Sequence, residues 1–300
     1  MSKLKFQTAH EVTVPLKEEL FKRGNSPELS LKTMPQLNKK LWGLRKKQLT
    51  VIGARPSHGK SSFIGQVAYD LASQGHKVLV ISLEMSNEEF VERLFCNVRG
   101  VKNYDLLTGK FKRHLDDYNR FQIELENMIL CYSDCIGKNW SEVDKIFSEM
   151  SVKFDVVIVD YIQAIKCTQR TMKENFDDYI INFRMMAKKY NFSAIICSQI
   201  NRSSQDSKDK RPYLHQLKGT GGLEEQADIV ILLYWKYKDD ENEENKNDYF
   251  LFLAKNRNGM TGTTKIQYVP ENYRFVDNDV FIDKEQKELD VFNDDGDFEE

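Results

Sequence analysis

No stretch of the chain approaches the run of about 18 consecutive apolar residues that a bilayer crossing requires, so nothing in it reads as a membrane span. Met1 to His10 also lacks the apolar core and small-residue cleavage site of a secretory signal. Cysteine is sparse, with five in 300 residues, and only Cys131 and Cys135 lie close together. With no second ligand pair nearby they do not read as a zinc site, and reduced thiols in a cytosolic protein are the simpler interpretation. No internal repeat is present. Net charge is small, −2, but it is unevenly spread. Asp239 to Asp248 carries −5 and Asp283 to Glu300 carries −7, leaving about +10 on the remainder, a balance compatible either with a polyanion partner or with an ordinary solvated surface. Three hundred residues with 40% hydrophobic content suffice for one large domain or two small ones.

Against this background one stretch carries chemistry. Leu49-Thr50-Val51-Ile52-Gly53 reads as a short buried strand, and Ala54-Arg55-Pro56-Ser57-His58-Gly59-Lys60-Ser61-Ser62 follows as a loop that opens an apolar-periodic helix. Such a loop turns backbone N–H groups and a helix N-terminus toward a polyphosphate. Lys60 supplies a point charge for the β- and γ-phosphates, and the Ser61 hydroxyl is placed to coordinate magnesium. The usual pattern begins with glycine where this chain has Ala54, and Gly53 comes one residue too early. Ala54 is compatible with the loop if its φ is negative. The alternative is a chance Gly-Lys-Ser ahead of a surface helix.

Strands and helices then alternate. Strands are expected at Lys77 to Ser82, Met128 to Tyr132, Phe154 to Asp160, Phe192 to Ser198 and Asp228 to Tyr234. Helices are expected at Ser61 to Gln74, Asn87 to Val98, Ser141 to Ser151 and Glu174 to Tyr190, with a polar helical region from Asn103 to Asn127. Tyr249 to Ala254, Thr264 to Tyr268 and Tyr273 to Val276 read as closing antiparallel strands. The near-continuous Val/Ile/Leu strands predict an α/β fold, a mostly parallel twisted sheet covered by helices on both faces with antiparallel strands at the C-terminal edge. In such sheets ligands sit at the carboxyl ends of the strands.

Three of those ends carry suitable residues. Asp160 ends a buried strand and is a candidate magnesium ligand, or else a cap for the following turn. Glu84 follows Ser82 at the end of a strand read as lying next to the phosphate strand. It is the candidate general base for in-line attack of water, or else a surface carboxylate near a Ser86/Glu89 capping box. Gln199 ends a third strand and can sense the γ-phosphate or serve only the fold.

These stretches occur in one order with Val159-Asp160-Tyr161-Ile162-Gln163, Ser198-Gln199-Ile200-Asn201-Arg202, Lys210-Arg211-Pro212, Gly221-Gly222-Leu223-Glu224-Glu225-Gln226-Ala227-Asp228 and Lys255-Asn256-Arg257-Asn258-Gly259-Met260-Thr261-Gly262. Together, from about Leu31 to Val276, they closely resemble the C-terminal motor domain of DnaB-family replicative DNA helicases, in which alanine at the first loop position is usual. The resemblance implies a RecA-like core, a hexameric ring, ATP bound with Mg2+ between neighbours, and single-stranded DNA threaded through the centre. It assigns Lys60 and Ser61 to phosphate and magnesium, Glu84 to water activation, Asp160 to magnesium and Gln199 to the γ-phosphate. Lys255 and Arg257 match a pair that such proteins extend into the neighbouring subunit's ATP site; otherwise they are two basic residues on a hairpin. Between Asn201 and Gly222 it implies a DNA-contacting loop, with Arg202, Lys210, Arg211, Lys218, Gly219 and Gly221 as candidates. There the family's Arg-Glu-Ser-Gly reads Lys218-Gly219-Thr220-Gly221, which keeps one charge, adds flexibility and loses any contact made by the glutamate. A solvated flexible loop is the alternative.

The expected organisation is an arm at residues 1–30, a motor at 31–278 and an acidic, disordered tail at 279–300. Relatives carry a further N-terminal domain, and here about thirty residues precede the motor, as suits a phage or mobile-element protein. Val12, Val14, Leu16, Leu20 and Phe21 form an amphipathic element, stopped at Gly24-Asn25-Ser26-Pro27, that packs either on the core or on an adjacent subunit. The tail, with Phe292 and Phe298 among its acids, has docking or DNA mimicry as its alternative role. The resemblance implies a cytoplasmic helicase or translocase whose partners include primase, a helicase loader or single-strand-binding protein. Two competing readings remain: a RecA-like recombinase or mediator, and an ATP-switched ring that recruits or loads another helicase.

Overall fold

The computed structural model of the chain describes residues 8–22, 27–82, 84–134, 140–149, 152–160, 172–200, 210–217 and 220–277. Among these residues nine strands form one sheet: β1 (Leu49–Ala54), β2 (Val78–Ser82), β3 (Leu130–Asp134), β4 (Val156–Asp160), β5 (Ser193–Gln199), β6 (Ile229–Trp235), β7 (Asp248–Asn256), β8 (Gly262–Val269) and β9 (Arg274–Val276). Their spatial order is β3-β2-β4-β5-β1-β6-β7-β8-β9. The first six run parallel, and β7 to β9 add on as an antiparallel meander. The sequence predicts this through side-chain period. Strands β1, β2, β4 and β6 are buried at every position because both sheet faces are covered, whereas β7 alternates between buried and partly exposed positions.

Ten helices occur among the described residues: α1 (Ala9–Lys22), α2 (Pro35–Leu41), α3 (Lys60–Ser73), α4 (Asn87–Arg99), α5 (Asn103–Leu107), α6 (Leu115–Glu126), α7 (Trp140–Glu149), α8 (Met172–Tyr190), α9 (Thr220–Gln226) and α10 (Tyr237–Asp240). One face of the sheet presents Ile52, Val80, Ile158 and Ile195 to Phe63, Ile64 and Val67 of α3 and to Leu37 and Leu41 of α2. The other presents Val51, Ile81, Val159 and Ile196 to Ile180 and Phe183 of α8 and to Leu223 of α9. Helix α4 starts at Ser86, whose hydroxyl accepts from Glu89 N–H at 3.2 Å, and ends at Gly100 with φ 69°. Only half of the expected capping box forms, because the Glu89 carboxylate pairs with Arg93 at 2.7 Å.

Several boundaries differ from expectation for local reasons. The polar helical region divides at Gly109, whose φ of 74° interrupts the helix, into α5, a 3-10 turn at Lys110–His114 and α6. Tyr273 has φ 61°, so β9 begins one residue late. Leu29 is fully buried and bridges Leu44, which carries the packed core two residues ahead of the expected start at residue 31. Helices α2, α9 and α10 have no expected counterpart. The expected amphipathic element is α1, but Val12, Val14, Leu16, Leu20 and Phe21 are 41–80% exposed, so it does not pack on its own core. Gly24, Asn25 and Ser26 of its expected stop, Cys135 and the tail 279–300 lie outside the described residues.

One expectation about neighbours is overturned. Strand β2 does not lie next to β1: β4 and β5, formed later in the chain, are inserted between them. Hydrophobic pattern specifies a buried parallel strand but not its place in the sheet. The direct neighbours of β1 are β5, with Ala54 opposite Gln199, and β6. Strand β2 instead pairs with β4, Ser82 opposite Asp160, so Glu84 leaves the sheet beside Asp160 rather than beside the phosphate strand.

Candidate active site

The carboxyl ends of β1, β5, β4 and β2 lie side by side, bringing Ala54, Gln199, Asp160 and the turn at Glu84 to one edge. Ala54 ends β1 in extended backbone, as the absent first glycine requires; the positive φ values in the loop belong to Ser57 (63°) and Gly59 (78°). Gly59 has a second constraint, since a Cβ there would approach the Phe275 and Tyr268 rings at 3.2 and 3.3 Å. Gly53 is also confined: a Cβ would meet Leu217 at 2.6 Å and Leu232 at 2.8 Å, so its role is close packing under the loop.

Ser61 Oγ donates to Asp160 Oδ2 at 2.8 Å, and Lys60 Nζ lies 3.3 Å from Asp160 Oδ1. Asp160 is 3% exposed, and its Oδ1 accepts no hydrogen bond from the described residues. A buried carboxylate oxygen with unused acceptor capacity, next to a hydroxyl, is a hard-oxygen pair that fits a divalent cation such as Mg2+. Cys197, on β5 behind this pair, is fully buried; burial and the nearby Asp160 push its thiol well up, leaving it protonated and inert. Glu84 is exposed, and Gln199 is half-buried.

Arg257 and Lys255 are at the other end of the sheet. Asp228, just before β6, accepts from Leu49 N–H at 2.9 Å and from Arg184 and Arg257 at 3.1 and 3.3 Å, while Arg257 N–H donates to the Asp228 carbonyl at 2.9 Å. Leu49 opens β1 and the phosphate loop follows its close, six residues along, a separation of roughly 17 Å at the rise of a strand. Arg257 also donates to the Glu225 carbonyl, and Lys255 to that of Glu224. Burial and neighbouring Arg257 depress the Lys255 ammonium. The fold therefore brings Lys60, Ser61 and Asp160 together and keeps Arg257 and Lys255 apart from them.

Residues 31–277 match the family model described as DnaB-like helicase C terminal domain. The chain belongs to that family. It is 28% identical to the replicative DNA helicase DnaB of Geobacillus stearothermophilus over 84% of this chain and 57% of that protein. It is also 28% identical to the replicative DNA helicase DnaC of Bacillus subtilis, over 80% and 55% respectively. The chain thus spans a little over half the length of these curated relatives. A solved DnaB-like replicative helicase, described with its interactions with primase, matches with a TM-score of 0.81 at 24% identity, covering 91% of this chain and 69% of that one. A second solved chain, described as an ATPase domain, matches with the same score and identity, covering 92% and 100%. At these identities the likeness is one of fold, and the RecA-like sheet is the one expected.

The DnaB-like domain seats its loop on residues that the sequence does not single out. Trp235 N–H donates to His58 Nδ1 at 3.0 Å, and the Tyr249 hydroxyl donates to the His58 carbonyl. Tyr268 and Phe275, stacked 4.5 Å apart, lie against Gly59. Arg55, a predicted cofactor residue, is 6% exposed and paired with Asp239 at 2.8 Å. Their only sequence signal is that β6 to β9 are rich in aromatics; which of them reach the loop depends on strand order.

Among the nucleic-acid candidates, Arg202, Lys218 and Gly219 lie outside the described residues. Gly221 falls within α9, not in a flexible loop, because Leu223 is fully buried and draws the segment into a helix. Lys210 and Arg211 are half-buried, and Lys210 Nζ donates to the Asp239 carbonyl at 2.6 Å. Among the described residues no helix is long and apolar enough to cross a membrane.

His58 yields a pH prediction. Burial, then the charges of Arg55 and Lys238, lower its pKa to about 4. Because Nδ1 accepts a bond, the neutral ring carries its proton on Nε2. A folded-state value below the unfolded value of about 6.5 means that the stabilisation is complete above pH 6.5 and is lost as pH falls toward 4. Between pH 7.5 and 5 this amounts to about 2 kcal/mol, or a Tm drop of about 4–8 °C. Thermal melts of wild type and His58→Gln across that range should show a shallower fall in the variant; equal slopes would assign the effect elsewhere.

Proposed function

We propose that this chain is the motor of an ATP-dependent, ring-forming DNA helicase that moves on single-stranded DNA, hydrolysing ATP at the interfaces between neighbouring copies. The observation that carries the reading is the pairing of a converged Lys60/Ser61/Asp160 edge with an Arg257/Lys255 pair at the opposite end of the same sheet. A cation held that far from its own phosphate loop suits a site completed by another copy, where it neutralises transition-state charge only once the ring has closed.

In this reading the loop amides and the α3 N-terminus cradle the β- and γ-phosphates, and Lys60 turns from Asp160 to the phosphate oxygens. Ser61 and Asp160 would hold Mg2+, which would supply neutralisation of phosphate charge. Glu84, exposed at the same edge, accepts the proton of the attacking water, and Gln199 hydrogen-bonds the γ-phosphate. The motor comprises residues 31–278 together with Leu29. Arg202, Arg211 and Lys218 are the remaining basic candidates for a largely sequence-independent grip on the DNA backbone, which would weaken steeply with salt. Primase, a loader or a single-strand-binding protein would be partners of the assembled ring.

Helix α1 is the arm. Thr8 caps it reciprocally with Glu11, so it is a formed helix whose apolar side chains have no cover among the described residues. We assign its cover to a neighbouring copy, at the cleft of about 550 Å³ lined by Val91, Phe95, Leu106 and Phe111. Deleting residues 1–25 should reduce the mass measured by light scattering from an oligomer to smaller species; unchanged mass would reject the docking arm.

The deciding assay is ATP hydrolysis with and without single-stranded DNA, together with unwinding of a forked duplex. DNA-stimulated hydrolysis with strand displacement is expected. Hydrolysis without displacement from a confirmed ring would favour a ring that recruits or loads another helicase, and strand pairing on filaments would favour a recombinase.

A further inference from the structure

Strand β2 places Val78, Val80 and Ser82 at alternate positions, and the first two join the core that the sheet shares with α3. Side-chain period therefore asks for an apolar residue at position 82. The chain has a hydroxyl there, and it is only 3% exposed. A buried hydroxyl needs partners, and this one finds them in a single residue three positions on. Ser82 Oγ accepts from Met85 N–H at 2.9 Å and donates to the Met85 carbonyl at 2.7 Å. Met85 in turn is buried in the same core as Phe90 and Val80. The next residue, Ser86, caps α4 through Glu89 N–H. Glu84 thus stands exposed between a strand end paired opposite Asp160 and a buried, hydrogen-bonded Met85 just ahead of a capped helix.

We propose that Ser82 is a positioning residue for ATP hydrolysis: by bonding both main-chain polar groups of Met85 it fixes the backbone from which Glu84 reaches the attacking water, a role that rests on the reading of Glu84 as the general base. A carboxylate on an exposed turn is an effective base only where its backbone is held, because a misplacement of about 1 Å costs about 10²-fold in rate. The Ser82 hydroxyl is engaged by Met85, so its influence on the reaction passes through Glu84. Other residues at this position separate the hold from the volume. Alanine leaves the buried Met85 N–H and carbonyl without these bonds, and the turn must open toward water to satisfy them. Cysteine fills the same place but is a weak donor and a weak acceptor. Threonine keeps the hydroxyl, and its branched side chain suits a strand.

The test measures ATP turnover by the full-length protein on oligo-dT, together with Tm and the affinity for a fluorescent non-hydrolysable ATP analogue with Mg2+. Ser82→Ala should lower kcat about 10²-fold at unchanged KM and analogue affinity. Ser82→Thr should restore kcat. Added to Glu84→Gln, Ser82→Ala should slow turnover no further, because aiming a base that is absent has no effect. Ser82→Cys should lose kcat as alanine does, and it carries the test if Ser82→Ala melts early. Full kcat in Ser82→Ala beside a slow Glu84→Gln would overturn the positioning role and leave the base in place. Losses that simply add in the double variant would overturn it as well, since Ser82 would then act apart from Glu84. Weakened analogue affinity at constant kcat would move the effect to the neighbouring Asp160 strand and overturn it too. Wild-type turnover in Glu84→Gln would remove the base reading and the positioning role together.

Discussion

Arg257→Ala should lower the turnover of ATP by about 10³-fold or more while leaving nucleotide affinity nearly unchanged, the signature of a cation that acts only in the transition state. The expectation follows from its position. Arg257 is anchored beside Leu49, at the amino end of β1, by Asp228 and the Glu225 carbonyl, while its own phosphate loop begins beyond the carboxyl end of that strand. No side-chain rotation covers such a distance. Folding should survive, because Arg257 is 44% exposed and Asp228 keeps its bonds to Arg184 and Leu49. A mixing experiment distinguishes a neighbour's residue from one acting within its own chain. Chains carrying Arg257→Ala and chains carrying Lys60→Ala, assembled together at random, regain an intact loop facing an intact arginine at about a quarter of their interfaces. Activity above the sum of the two variants is expected. Unchanged hydrolysis in Arg257→Ala, where Lys60→Ala abolishes it, would end the cross-subunit assignment.

Lys60→Ala should act on binding as well as turnover, lowering kcat/KM by about 10³-fold and weakening fluorescent nucleotide binding in the same protein. Lys60 is the side-chain cation that the fold places at the loop mouth, 3.3 Å from Asp160, with only 10% of its side chain exposed. Removing it leaves Asp160 with the Ser61 hydroxyl and no side-chain cation beside it, so the site would attract phosphates less strongly. The contrast between the variants is the useful measurement: loss of binding at Lys60 and retention of binding at Arg257. A Lys60→Ala protein that still bound nucleotide normally would mean that the amide cradle alone holds the phosphates.

Much of the site is legible without coordinates, and its residues explain why. Lys60 and Ser61 follow a buried strand and begin a helix, and that local context suffices to mark a candidate phosphate cradle. Asp160 can be paired with them from afar because a carboxylate ending a fully buried strand must lie at the ligand edge of a parallel sheet. Pattern alone puts Glu84 beside the wrong strand, since continuous burial looks the same at every interior position of the sheet. Arg55, by its place in the loop, and Lys210, by its charge, look like ligand contacts. Both are tied to Asp239, a residue that in sequence is one acid among six. Gly221 looks like loop and is helix, because the buried Leu223 outweighs the low propensity of two adjacent glycines.

The class of fold and the meeting of Lys60, Ser61 and Asp160 at one edge of the sheet can be read from the chain as written. They depend on interactions between residues near in sequence: side-chain period, a strand leading into a helix, a helix start. Other features exist only once the sheet is assembled. Among them are which strands are neighbours, the aromatic seat that β6 to β9 supply beneath Gly59, the direction of Arg257 away from its own Lys60, and the engagement of Arg55 within the protein. Each of these is a pairing across many tens of residues, set by how β4 and β5 insert between β1 and β2 and by which buried charge finds which partner. No local pattern encodes such pairings, because they are chosen by the packing of the whole sheet.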